Sequence, residues 1–254
     1  MIFLGPAGSA GLGNEEGLKK AASMGLKCYE VEFTHGVQMK NDLAKKLGKL
    51  ASELGIKLSI HAPYYINLAS KEKPKIFASK KRILDSCERG HYLGAKKVVF
   101  HAGFFQGQDV ESVYEMIKEA LVDMQGTIKK RGWSVELAPE VTGKPSQFGS
   151  IEELMRLRKE IGISYCVDFA HLYARQQGKI DYSKVLKMIP DKEFHAHFSG
   201  INYGPKGERN HIAVDIDQFK KLARAINKAK KEVSLINESP YIFEDLERML
   251  KALS

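Results

Sequence analysis

Cysteine is scarce in this sequence, which has three of them among 254 residues. Cys28, Cys87 and Cys166 are odd in number and lack a paired spacing. This pattern argues against a disulfide framework and fits a reducing compartment, so we expect a cytoplasmic protein.

Long apolar runs are missing as well, because nowhere do about 18 uncharged apolar residues follow one another. The first six residues, MIFLGP, contain no basic leader and only a short apolar run. We therefore expect neither a signal peptide nor a membrane span.

The sequence also lacks a Gly-rich turn of the dinucleotide-binding type. Gly5-Pro6-Ala7-Gly8-Ser9 follows the first apolar run but lacks the spacing of that motif, and Gly8, Gly11 and Gly13 do not supply it. The open doubly wound sheet that usually carries such a turn is therefore disfavoured.

What the chain does contain is a regular alternation of two patterns. Short β-rich apolar runs predict eight strands at Ile2–Leu4, Cys28–Phe33, Lys57–His61, Lys97–His101, Ser134–Leu137, Ser164–Asp168, Glu193–Phe198 and Glu232–Asn237. Amphipathic stretches between them predict helices at Glu15–Met24, Asp42–Leu54, Lys75–Leu93, Val110–Lys130, Ile151–Glu160, Tyr182–Met188, Asp217–Ala229 and Phe243–Leu253.

Regular alternation implies parallel strands joined by right-handed crossovers, and eight such units are the number that closes a barrel. No Pro/Ser linker, low-complexity tract or clear repeat divides the chain. The sequence therefore predicts an α/β fold, a (β/α)8 TIM barrel that spans residues 1–254 as a single domain.

The chain is basic, with 40 Lys plus Arg against 31 Asp plus Glu and a formal net charge of +9. A positive balance draws in phosphate-bearing partners electrostatically. Runs of like charge, such as those at 80–82 and 129–131, lie on predicted helices, where they usually form solvated faces. The charge therefore permits a nucleic-acid partner without requiring one.

Metal-type ligands gather where five of the predicted strands end: His61, His101, Asp168 with His171, His195 and His197, and Glu238. Any one of these residues has an ordinary structural explanation, such as a hydrogen-bonded histidine or a turn-capping aspartate. Active sites of TIM barrels lie at the carboxyl ends of the strands, so the barrel would bring these distant positions to one rim. Their coincidence predicts a metal site.

Histidine and carboxylate ligands without cysteine suit zinc or manganese. More carboxylates than one ion needs suggest two or more ions that share a bridging carboxylate. Clusters of this kind commonly act on phosphate esters, where they neutralise the phosphate and lower the pKa of bound water. We therefore expect a metal-dependent phosphodiester hydrolase.

The motifs at these strand ends resemble those of the endonuclease IV family, the apurinic/apyrimidinic endonucleases built on a xylose-isomerase-like barrel. The similar segments cover residues 1 to about 240 and are His61-Ala62-Pro63-Tyr64-Tyr65-Ile66-Asn67-Leu68, Phe100-His101-Ala102-Gly103, Pro139-Glu140-Val141-Thr142-Gly143, Cys166-Val167-Asp168-Phe169-Ala170-His171 and Glu238-Ser239-Pro240.

The resemblance implies two to three zinc ions that cleave double-stranded DNA on the 5′ side of an abasic site. It implies that His61 and His101 hold one ion, that Glu140 bridges it to a second, and that Asp168, His197 and Glu238 complete the second. His171 would serve the third ion. Glu140 is the expected catalytic residue, and Tyr64 and Asn67 are candidate substrate contacts, with turn and packing roles as the alternative.

Three positions depart from the family pattern or leave a choice open. His197 is preferred to His195 because His-Phe-Ser-Gly resembles the family's His-Leu-Asn-Asp, although both side chains point the same way from a strand. The family's Asp-Arg-His reads here Glu208-Arg209-Asn210-His211. We expect His211 to bind the third ion and Glu208 to contact substrate. The basic, aromatic loop after the second strand is reduced to 34–39 (THGVQM).

Two other functions remain open at the level of sequence. One is a metal-dependent sugar isomerase or epimerase on the same barrel, since one fold hosts many chemistries. The other is a barrel that binds nucleic acid without cutting it. The repair nuclease, acting as a monomer on abasic or damaged DNA, is the function that the ligand set and the positive charge favour.

Overall fold

A computed structural model describes residues 1–253. Eight parallel strands form the wall of a TIM barrel: β1 (Ile2–Pro6), β2 (Cys28–Glu32), β3 (Lys57–His61), β4 (Lys97–Phe100), β5 (Glu136–Pro139), β6 (Cys166–Asp168), β7 (Glu193–Phe198) and β10 (Glu232–Asn237). The fold predicted from the sequence is thus confirmed.

The barrel is built from two four-stranded sheets, ordered β2-β3-β4-β5 and β1-β10-β7-β6. Two parallel bridges join them, one between Ala7 and Glu30 and the other between Glu140 and Cys166. Because the strands are parallel, all eight carboxyl ends open at the same mouth.

Helices cover the outside of the barrel: α1 (Asn14–Ser23), α2 (Asn41–Glu53), α3 (Lys73–Leu93), α4 (Val110–Arg131), α5 (Ile151–Ile161), α6 (Phe169–Arg175), α7 (Tyr182–Met188), α8 (Ile216–Lys228) and α9 (Ile242–Leu253). Capping residues explain where several of these helices begin and end. Ser150 and Glu153 form a reciprocal capping box at the start of α5, and Gly162 ends that helix in the left-handed conformation.

Two elements of the carboxyl-end loops lie outside the sequence prediction. Helix α6 starts directly after β6, and an antiparallel hairpin, β8 (Gly200–Gly204) with β9 (Gly207–Ile212), is inserted between β7 and α8. Both are short, and the hairpin is largely polar and carries an irregular register near Asn202. Neither pattern has the periodicity of a core element, which explains why a prediction from apolar periodicity passes over them.

The apolar core lies between the strands and the helices, whereas the barrel interior is partly polar. A small buried cluster of Val99, Ala138 and Cys166 lies on neighbouring strands β4, β5 and β6. Side chains two residues further along a strand share its face, so His101 and Asp168 continue two of these rows towards the mouth. None of the helices within residues 1–253 combines the length and hydropathy needed to cross a bilayer.

Candidate metal centre

The carboxyl ends of neighbouring strands bring His61, His101 and Glu140 together. His61 ends β3, while His101 and Glu140 directly follow β4 and β5. Nε2 of His61 lies 3.1 Å from Oε2 of Glu140, and Nε2 of His101 lies 3.0 Å from the same oxygen. Their ligand atoms lie close enough together to hold one ion.

A second group joins Glu140 to residues from the other half of the barrel. Nδ1 of His197 lies 3.2 Å from Oε1 of Glu140 and 3.2 Å from Oε1 of Glu238, and Asp168 completes the group. His197 is fully buried on β7, and Glu238 directly follows β10. Four ligand atoms from four strand ends could therefore surround a second ion.

The third group depends on the two elements that the sequence prediction passed over. Oδ1 of Asp168 accepts a hydrogen bond of 2.7 Å from the backbone N–H of His171 and so caps the start of α6. The imidazole of His171 is held by its Nδ1, which lies 2.9 Å from the carbonyl oxygen of Val141. His211 lies on the hairpin strand β9, with its Nε2 3.3 Å from Nε2 of His171. Nδ1 of His211 lies 2.7 Å from Oγ of Ser199, so its Nε2 is left to face the site.

These groups form one continuous cluster, because Glu140 belongs to the first and second and Asp168 to the second and third. The ion pairs that Glu140, Asp168 and Glu238 form within residues 1–253 are all with histidines. Among residues 1–253, no Lys or Arg lies within ion-pair distance of Glu140, Asp168, Glu208 or Glu238. Several carboxylates crowded together without Lys or Arg are costly, and divalent cations would supply further positive charge. The residues present therefore fit a multinuclear metal centre.

The pKa values of the central groups reflect this crowding. Burial disfavours the charged form of Glu140, but the imidazoles of His101 and His197 hold its pKa well below the usual range. Burial likewise opposes the charge on His61, yet its hydrogen bond to Glu140 and the nearby charge of Glu32 raise its pKa to about 10. In this part of the site the carboxylates and imidazoles stabilise each other as ions.

Asp168 behaves differently, because burial and the neighbouring charges of Glu238 and Glu140 raise its pKa to about 8, against the opposing effect of His171. A carboxyl group that resists ionisation among other carboxylates lacks a compensating cation. Its Oδ2 atom is buried and has no hydrogen bond in the described part of the chain. A metal ion is the partner that such an oxygen would accept.

Strand β2 contributes two acids that the sequence reasoning missed, the buried Glu30 and the partly buried Glu32. Oε1 of Glu30 lies 2.8 Å from Nε2 of His197, and Oε2 lies 2.9 Å from Nε2 of His195. Glu32, two residues on, shares the face of Glu30 and approaches Glu238. Acids at alternate positions of an otherwise apolar strand, Glu30-Val31-Glu32, were the available signal for an acidic inner face.

The two candidate histidines on β7 point into the interior, as expected for positions two residues apart. His197 reaches Glu140 and Glu238, whereas His195 lies one level deeper in a buried group with Cys166. Burial lowers the pKa of His195 despite its contact with Glu30. The geometry therefore favours His197 over His195 as a ligand of the main cluster.

A cavity of about 490 Å³ opens onto the cluster at the mouth of the barrel. The predicted substrate contacts Tyr64 and Glu208 line it, together with Glu32 and Thr34. Oε2 of Glu208 also lies 3.5 Å from Nε2 of His171. Asn67 is not among the lining residues, and its side chain instead ties two loops together.

Fold and site together define a TIM-barrel protein with a histidine- and carboxylate-rich centre at the carboxyl mouth. The family model of the xylose isomerase-like TIM barrel matches residues 18–252, and the chain belongs to this family.

Two sequence relatives indicate which members of this family the chain resembles. An uncharacterized protein of Methanocaldococcus jannaschii is 35% identical over 241 residues, which cover 90% of this chain and 87% of the relative. A probable endonuclease 4 of Geobacillus sp. (strain WCH70) is 26% identical over 253 residues, or 89% of this chain and 83% of the relative. The predicted resemblance to the endonuclease IV family is therefore confirmed.

Solved structures show the same fold at low identity. Endonuclease IV from Thermus thermophilus superposes with a TM-score of 0.72 at 19% identity, over 99% of this chain and 98% of that one. A D-tagatose 3-epimerase-like protein superposes with a TM-score of 0.76 at 15% identity, over 99% and 97% of the two chains. Fold similarity by itself thus includes both nucleases and sugar epimerases.

Proposed function

We propose that this protein is a metal-dependent phosphodiesterase that cleaves DNA on the 5′ side of abasic sites. The observation that carries the proposal is the sharing of Glu140 and Asp168 among three ligand groups at one cavity. Such sharing suits two or three ions held side by side, which is the arrangement used to clamp a phosphodiester. The names of the sequence relatives support the same activity.

In this proposal, His61, His101 and Glu140 would hold one ion, and Glu140, Asp168, His197 and Glu238 would hold a second. Asp168, His171 and His211 would hold the third. Zinc is the expected metal, and manganese suits the same donors. When bound, such ions neutralise phosphate charge and lower the pKa of water. Glu140 would be the ligand common to the first two ions, and Tyr64 and Glu208 border the space that the substrate would enter.

A sugar isomerase or epimerase is the second candidate, and one observation favours it. The group of Glu140, Asp168, His197 and Glu238 would be sufficient to hold a single ion beside a sugar. However, such an enzyme has no evident use for His61, His101, His171 and His211, which lie around the same cavity. The extra imidazoles and the net positive charge favour the nuclease.

The test is to incubate the metal-loaded protein with an abasic-site duplex, an undamaged duplex and free ketoses and aldoses, with and without chelator. We expect chelator-sensitive cleavage of the abasic strand and no isomerisation. Glu140→Gln should lower cleavage by more than about 100-fold, because an amide nitrogen replaces one of the two carboxylate oxygens that would bind the ions. Glu136→Gln, on the same strand but exposed at its amino end, is the matched control and should cleave normally.

Each alternative has its own result in this experiment. Isomerisation of a sugar without DNA cleavage would replace the nuclease by the second candidate. Tight binding of abasic DNA with no cleavage at any metal concentration would indicate a non-cleaving barrel. Normal cleavage by Glu140→Gln would reject the bridging role of that residue.

A further inference from the structure

One carboxyl group in the cavity wall takes no part in the metal cluster described above. Glu32 ends β2 and lines the cavity beside Thr34 and Tyr64. Within residues 1–253, no group donates a hydrogen bond to its carboxyl, and its Oε1 is shielded from solvent. A buried acceptor without a donor costs free energy, so a ligand that brings a donor would be favoured there.

The neighbouring carboxylates are already engaged. Glu30 contacts His195 and His197 with its two oxygens, and Glu238 contacts His197 and His211. A cation beside Glu32 would have to share Glu30 and Glu238 with these histidines, whereas a ligand with one hydroxyl group needs only the free acceptor of Glu32. A phosphate is equally unsuitable at this point, because it offers only acceptors and carries the same sign of charge. A neutral hydroxyl group is the ligand that matches this single free acceptor without competing for the neighbouring carboxylates.

The backbone holds Glu32 in place. Gly8 packs against it so closely that a Cβ at position 8 would lie 3.2 Å from Cγ of Glu32, and the positive φ of 74° at Gly8 disfavours a side chain as well. Ala7, Pro240 and Ile242 add an apolar surface to the same cavity. An acceptor beside a small apolar wall is complementary to a sugar ring that carries a hydroxyl.

We propose that Glu32 accepts a hydrogen bond from the C1′ hydroxyl of a ring-closed abasic deoxyribose, which makes it a specificity-determining residue. This inference rests on the proposed function. Within an abasic DNA strand, O3′ and O5′ are esterified and C2′ carries no oxygen. The C1′ hydroxyl is therefore the only sugar hydroxyl able to donate. In an intact nucleotide the base replaces it, so Glu32 has no hydroxyl to accept from.

The test compares duplexes that carry a natural abasic site with duplexes that carry its tetrahydrofuran analogue, which lacks the C1′ hydroxyl. We expect the wild-type protein to have a kcat/KM about tenfold higher for the natural site, the effect of one hydrogen bond. Glu32→Ala should lower kcat/KM for the natural site to the level of the analogue and leave the analogue unchanged. Glu32→Gln should keep part of the preference, because its amide oxygen still accepts.

Two further measurements separate recognition from damage to the metal centre. Metal content should be equal in the wild type, Glu32→Ala and Glu32→Gln. In the Glu140→Gln background, the natural site should bind about tenfold more tightly than the analogue, and adding Glu32→Ala should remove that difference.

The outcomes are distinct. Equal wild-type kcat/KM for the two duplexes, or an equal loss on both in Glu32→Ala, would overturn the role of Glu32 while the nuclease stands. Absence of chelator-sensitive cleavage of either duplex would overturn the proposed function, and the role of Glu32 with it.

Discussion

Oε1 of Glu30 lies 2.8 Å from Nε2 of His197, on the side of the ring opposite the metal cluster. Nδ1 of the same imidazole faces Glu140 and Glu238 at 3.2 Å. Neither Oε1 of Glu30 nor Nε2 of His197 forms a hydrogen bond within the described residues, so their contact is electrostatic, and a carboxylate behind a ligating histidine makes that ligand more basic. The contact links a residue that the sequence prediction missed to one that it named.

Replacing Glu30 by Gln should therefore weaken metal binding without removing a ligand. We expect affinity for zinc to fall by about 10- to 100-fold, the usual effect of losing such a supporting carboxylate. Competition with a chromophoric chelator measures this directly. Glu193→Gln, which alters an exposed acid at the start of the same strand as His197, is the control. Equal affinity in Glu30→Gln and wild type would contradict the supporting role of the Glu30 charge.

His211 tests the third ligand group. Because it lies on the β8–β9 hairpin and not on a barrel strand, its removal should leave the first two groups intact. His211→Ala should lower the metal content of the purified protein by one ion per chain, measured by elemental analysis. His35→Ala changes an exposed histidine of the loop after β2 and should retain full content. Full content in His211→Ala would assign the third ion to other ligands.

A variant of Asn67 can show whether this residue stabilises the loops or contacts the substrate. Its Oδ1 accepts hydrogen bonds from the backbone N–H groups of Ala69 at 3.1 Å and Phe104 at 3.3 Å, which ties the loops after β3 and β4. Asn67→Ala should lower the free energy of unfolding by about 1–2 kcal/mol, measured by denaturant titration. Asn67→Asp keeps the acceptor and should lose less. A reduced kcat/KM at unchanged stability would instead indicate the substrate contact.

Much of the barrel could be predicted because its signals are local and repeated. Each parallel strand is a short apolar run and each helix an amphipathic one, so alternation alone indicates the fold. The errors lie where those signals are weak. Predicted strand five began at Ser134, for example, whereas β5 is Glu136–Pro139, and the polar hairpin was not predicted at all.

The candidate site likewise contains residues that the sequence predicts and residues that it does not. His61, His101, Asp168 and Glu238 end or follow strands, so barrel geometry predicts that they converge. Glu30 and Glu32 were missed because their importance depends on which face of β2 turns inward and on what lies opposite it. Those relationships are set by the closure of the barrel between Ala7 and Glu30, which no local pattern encodes.

Asp191 gives a pH-dependent prediction away from the metal centre. Although partial burial opposes it, Arg158 and Tyr165 lower the pKa of Asp191, with Arg158 Nη2 at 2.7 Å and the Tyr165 hydroxyl at 2.7 Å. Since the folded pKa lies below the unfolded one, the stabilisation is present above the ordinary carboxyl pKa and is lost as pH falls through the folded value.

Asp191→Asn should therefore lower the free energy of unfolding by about 1 kcal/mol near neutral pH. The difference from wild type should shrink as the medium is acidified below about pH 4, measured by denaturant titration across that range. Asp123→Asn alters an exposed acid that pairs with Lys80 and should have almost no effect at either pH. A difference that persists unchanged in acid would contradict the ionic origin.

The positive charge of the chain predicts how DNA binding responds to salt. The cluster itself is rich in carboxylates, so affinity for the backbone must come from basic residues around the mouth, such as Lys71 after β3 and Lys206 at the tip of the hairpin. Each phosphate contact releases counterions, so the logarithm of the binding constant should fall linearly with the logarithm of salt concentration, by about 0.9 per contact.

Lys71→Ala and Lys206→Ala should each reduce that slope by about one, measured by fluorescence anisotropy in the non-cleaving Glu140→Gln background. Lys129→Ala removes an exposed charge near the end of α4, whose carboxyl end points away from the mouth, and should leave the slope unchanged. The comparison matters because all three variants lower the net charge equally. An equal decrease of the slope in all three variants would mean that the total charge attracts DNA. A decrease confined to Lys71→Ala and Lys206→Ala would mean that DNA crosses the mouth of the barrel.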